Sequence, residues 1–128
     1  MTQEHKELLL KDLCARLPYC VKIEFTWRVM NESTCLSTTL EPDHIEQLLN
    51  DEVGDAEIQL YLFPLSSMTE EEWEDYQKIR MMDWVHGDIN GTFINAGLTV
   101  DWLNAHHFDY RGLIEKGLAI DATNLNIY

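Results

Sequence analysis

The sequence predicts an α+β fold: an N-terminal helix, an antiparallel sheet of about three strands, then C-terminal helices packed on one face. Three observations carry this. Apolar residues recur at helical spacing near the N-terminus, apolar and polar residues alternate in two later stretches, and Thr69 opens a strongly signalled return to helix,.

The N-terminal stretch places Leu10, Leu13, Cys14 and Leu17 at offsets of three, four and seven, with Thr2 as N-cap and Pro18 as the stop,. Val21, Ile23, Phe25, Trp27 and Val29 then alternate with Lys22, Glu24, Thr26 and Arg28, the pattern of a half-buried strand,. Asn31-Glu32-Ser33 reads as a turn and 35–40 as a second strand, giving a hairpin,. Residues 43–50 fit either a short helix or a loop. Over 56–63, Ile58, Leu60 and Leu62 face inward up to Pro64,.

Thr69 and Glu72 have the spacing of a capping box, and Met68 and Trp73 can close a hydrophobic staple around it,. Glu70, Glu71 and Glu72 suit the positive end of the helix dipole. Trp73, Tyr76 and Ile79 mark the expected buried side, with the helix ending near Asp83. Residues 86–97 hold three of the six glycines and read as an irregular loop,. Thr99 is expected to cap a helix through His107, and Asp109 a further turn or two ending at Gly117,.

At 128 residues, 45% hydrophobic and 25% charged, the chain suits one folded domain over residues 1–128 with its own core,. Glu4, His5 and Glu7 interrupt any signal-peptide pattern, and no apolar run reaches the roughly 18 residues of a membrane span,. A cytoplasmic location is therefore expected. It also suits Cys14, Cys20 and Cys35, an odd set at no metal or redox spacing, expected to be reduced and packed,.

The net charge of −14 argues against nucleic acid or an anionic membrane as a direct partner,. Its distribution is uneven. Between Val29 and Gln77 there is no Lys or Arg, yet 13 of the 23 acids lie there. Five of the 13 fall in the first turns of the Thr69-capped helix. The cluster Glu41, Asp43, Glu46, Asp51, Glu52, Asp55 and Glu57 has no such local explanation and marks a candidate surface for a basic protein partner,.

No catalytic motif survives inspection. His86-Gly87-Asp88 resembles the opening of a small-molecule kinase catalytic loop, but Phe93 stands where the metal-binding Asn belongs,. No Gly-x-Ser-x-Gly elbow is present,. His106, His107 and Asp109 are the candidate metal ligands, although adjacent helical residues point about 100° apart and Asp109 is also a cap,. No cofactor is expected. Trp102, Tyr110 and Arg111 have the composition of an interface, and equally that of ordinary packing,.

The run from Trp102 through His106-His107-Phe108-Asp109-Tyr110-Arg111-Gly112 to Ala119 resembles a group of small uncharacterised proteins of Bacteroides-type gut bacteria and their prophages or mobile elements. Lys11-Asp12-Leu13-Cys14-Ala15-Arg16-Leu17-Pro18-Tyr19 and Ser66-Ser67-Met68-Thr69-Glu70-Glu71-Glu72 are similar to the same group. The resemblance implies a bacterial or phage protein and brings no activity. The expectation is thus a non-enzymatic accessory protein that binds another protein through an acidic surface. The alternatives are a small metal-dependent enzyme using His106, His107 and Asp109, and a homo-oligomeric scaffold subunit.

Overall fold

The computed structural model describes residues 2–51, 56–87 and 97–128, the side chains of 83–87 excepted. Helix α1, Gln3–Arg16, begins where expected, with the Thr2 hydroxyl accepting the His5 N–H at 3.1 Å. Its buried stripe is rotated from the expected one. Leu9 and Leu13 enter the core alongside Asp12 and Arg16, while Cys14 faces solvent and Leu10 is half-buried. The rotation follows from the ion pair: a charged couple that is buried must face its partners, and these lie on the C-terminal segment. Pro18 sits in a 3₁₀ turn, Leu17–Tyr19, and Cys20 at φ 56° sends the chain into the sheet.

Strands β1, Lys22–Val29, and β2, Glu32–Thr39, pair in full register around a two-residue turn at Met30 and Asn31. The turn is tighter than expected, and Met30 adopts φ 59° to make it,. Strand β3, Ala56–Pro64, lies antiparallel to the other side of β1, with Ile23 opposite Leu60 and Phe25 opposite Ile58. Between them, 42–49 is a helix: α2, Pro42–Leu49, closed by a reciprocal cap between Glu41 and His44.

The sheet corrects the expectation of about three antiparallel strands. Among the described residues it has five and is mixed, because β4, Phe108–Asp109, and β5, Ala119–Asp121, pair parallel with β3. Strands of two and three residues are too short to show an alternation, so nothing in the local sequence announces them. The order is β2-β1-β3-β4, with β5 also on β3.

Helix α3, Glu70–Gly87, opens on the expected capping box: Glu72 N–H donates to the Thr69 hydroxyl at 3.1 Å and Thr69 N–H to the Glu72 carboxylate at 3.0 Å. It runs a turn past Asp83. Helix α4, Gly97–Ala105, starts two residues before Thr99. The loop expected over 86–97 falls largely on 88–96, outside the described residues. Beyond α4, the Asp109 carboxylate accepts N–H groups from Arg111, Leu113 and Ile114, capping a turn rather than a helix, and Gly117 ends it at φ 74°.

The core lies on one face of the sheet, where Ile23, Phe25, Ile58, Leu60 and Leu62 meet Leu9 and Leu13 of α1 and Ile45 and Leu48 of α2. Among the described residues the helices covering this face are therefore α1 and α2. Described side chains of α3 contribute nothing to this cluster. Trp73, expected inside, is 46% exposed, and α3 leans on α4 through the Tyr76 and Trp102 rings at 5.7 Å. No helix among the described residues is long and apolar enough to cross a membrane.

Candidate functional site

The sequence-predicted ligand set separates into three different local jobs. His106 is exposed, its ring stacked on Trp102 at 4.2 Å with Nδ1 at 2.9 Å from the Trp102 carbonyl. The next residue takes φ 61°, which turns the His107 ring away to stack on Tyr128 at 4.0 Å. There burial, and secondarily the Arg16 charge, push the His107 pKa down to about 4. Its Nδ1 has no hydrogen-bond partner among the described residues. Asp109 spends both carboxylate oxygens on the turn described above. Among the described residues no three His, Cys, Asp or Glu side chains are placed to share a metal.

Trp102, Tyr110 and Arg111 are packing and network residues. Trp102 joins Tyr76, His106 and Phe108 in one aromatic stack. Tyr110 donates to Asn104 at 2.8 Å and lies under the guanidinium groups of Arg16 and Arg111. The network centres on Asp12, fully buried, whose two oxygens receive Arg16 Nε at 2.7 Å and Arg111 Nε at 3.0 Å. Arg16, also fully buried, donates on to the Phe108 carbonyl at 2.6 Å. These contacts bind α1 to the C-terminal segment. Residue type left interface and packing both open here, because composition cannot tell a surface aromatic from a packed one.

The acidic cluster divides as well. Glu41, Asp43 and Glu46 are exposed on α2, and Glu57 is exposed opposite Thr26. Glu41 nonetheless caps α2, Asp43 lies in its first turn, and Asp51 accepts the Ala56 N–H at 2.9 Å at the entry to β3. Glu52 and Asp55 lie outside the described residues. Part of the cluster thus has a local structural cause that the sequence had not revealed.

The feature missed from sequence is the edge strand within this acidic segment. Among the described residues strand β2 pairs with β1 alone, and all its residues are exposed except the half-buried Thr38. Leu40 N–H donates to the Val21 carbonyl at 2.9 Å, so the bonded pairs of the ladder are 23/38, 25/36, 27/34 and 29/32,. The backbone N–H and C=O groups of Ser33, Cys35, Ser37 and Thr39 consequently point outward from the sheet. Edge strands are usually blunted by Lys, Pro or a bulge. Strand β2 has no Lys and no Pro, its register is unbroken, and its one charge is Glu32. Glu41 and Asp43 follow its C-terminal end, and Glu24 lies beside it, accepting the Cys35 thiol at 3.0 Å. The signal was present in the sequence as an eight-residue Ser/Thr-rich run, but edge position is a property of the sheet.

No family model matches the chain, and neither the curated proteins nor the solved structures contain a significant match.

Proposed function

We propose that this is a non-enzymatic accessory protein, of phage or mobile-element type, that binds a basic extended segment of another protein as an added strand on β2. The supporting observation is the eight-residue edge, unpaired on its outer side among the described residues, set in a stretch without Lys or Arg and flanked by Glu32 at one end and Glu41 and Asp43 at the other. Strand addition supplies main-chain hydrogen bonds regardless of partner sequence, and the acids select for cationic side chains. Titration with a synthetic peptide alternating lysine and valine tests this, followed by amide exchange. Protection of the Ser33, Cys35, Ser37 and Thr39 amides is expected, with binding weakened about tenfold or more by Ser33→Pro, which takes away one of the outward N–H groups. Equal binding of a glutamate–valine peptide, or protection mapping elsewhere, overturns the proposal.

A second reading, a homo-oligomeric subunit, is favoured by the exposure of Trp73, Met81, Met82, Leu98 and Val100 on α3 and α4,. Light scattering that shows a monomer at all concentrations removes it.

A further inference from the structure

A cavity of about 570 Å³ opens where the first turn of α1, the end of β1, the start of β3 and the turn before β5 meet. Its size falls within the roughly 300–1,000 Å³ of small-molecule sites. Its wall carries Lys6 and His5 from α1, Arg28 from β1 and Lys116 from the C-terminal turn. Three chain segments distant in sequence bring these groups together, so their meeting is a product of the fold.

The charge there is opposite to that of the molecule. The chain has 9 Lys and Arg against 23 Asp and Glu. With such an excess of acid, a cation on the surface finds a carboxylate easily. Yet both ion pairs among the described residues belong to Asp12, and neither involves Lys6, Arg28 or Lys116. Two carboxylates also line the wall. Asp51 holds the Ala56 N–H, and Lys6 reaches its backbone carbonyl at 3.5 Å rather than a carboxylate oxygen. Glu57 is exposed and lines the same cavity. Three cations against two carboxylates give this wall a net charge of +1 where the chain as a whole carries −14, which favours a bound anion there over the rest of the surface,. The half-buried Ala56, backed by the buried side chains of Leu48, Ile58 and Leu118, forms the apolar part of the wall.

We propose that this cavity binds a small phosphate monoester, with Lys6, Arg28 and Lys116 facing the phosphate and the apolar wall facing the rest of the molecule. A dianion matches several separated cations better than a monoanionic carboxylate does. The site is independent of strand addition at β2.

Calorimetric titration at low ionic strength with inorganic phosphate, adenosine monophosphate and adenosine tests the proposal. The monophosphate is expected to bind most tightly, phosphate more weakly, and adenosine not at all. Arg28→Gln and Lys116→Gln change exposed side chains and leave the fold intact; each is expected to weaken the monophosphate about tenfold. Lys11→Gln, an exposed cation outside the cavity, serves as control. Absence of binding by both phosphate and the monophosphate at millimolar concentration overturns the proposal. So does equal binding of adenosine, or an equal loss in Lys11→Gln, which indicates general charge rather than a site.

Discussion

Replacing Asp12 with alanine is expected to be the most damaging single change to the charged groups of this protein. Asp12 and Arg16 are both fully buried, and Asp12 is also the partner of Arg111. Removing the carboxylate leaves the Arg16 guanidinium buried with the Phe108 carbonyl as its one remaining acceptor, in a network where its Nη1 is already unpartnered among the described residues. Breaking a buried pair from one side costs about 3–5 kcal/mol, because the surviving charge stays desolvated. For a domain of this length that corresponds to a fall in Tm of about 10–20 °C. Calorimetry or thermal circular dichroism measures it directly. The double variant Asp12→Leu with Arg16→Met should be less destabilised than Asp12→Ala alone, since it removes both charges and keeps the volume. A loss below about 1 kcal/mol for Asp12→Ala would refute the reasoning, because it would mean that Arg16 reaches water.

Thr69→Ala should cost about 1 kcal/mol of helix stability, seen as faster amide exchange in α3 with little change in global Tm, because α3 adds no described side chain to the core,. The His107 ring should titrate near 4 by NMR, below its ordinary 6.5. Because folding favours the neutral ring, its contribution is fully present above about 6.5 and lost as pH falls toward 4; Tm should drop over that window, and His107→Asn should flatten the drop,. All three cysteines should react with a thiol reagent in the folded state, since all are exposed; Cys35 should be slowest, its pKa raised chiefly by the hydrogen bond to Glu24,.

That last point marks a limit of composition. Cysteine is commonly buried, and packed thiols were the natural expectation, but Cys14 lies on the side of α1 that the Asp12–Arg16 pair turned outward. Likewise, Trp102 and Tyr110 read by type as either interface or packing residues, and only their position makes them packing residues. Of the acidic cluster, the capping role of Glu41 depended on 42–49 being a helix, which its eight residues left undecided.

By itself the sequence determined the features governed by neighbours in the chain. The start of α1 at its Thr2 cap, the hydrophobic alternation of β1 and β3, the Thr69–Glu72 box and the α+β class all follow from contacts within a few residues. Tertiary structure alone decided what depends on residues far apart. It recruited β4 and β5 in parallel beside β3, laid α1 and α2 over the sheet, sent His106 and His107 apart, and left β2 at the edge. The physical reason is the same in each case. A short strand and the Asp12–Arg111 ion pair are defined by partners tens of residues away, and an edge by where the rest of the sheet forms.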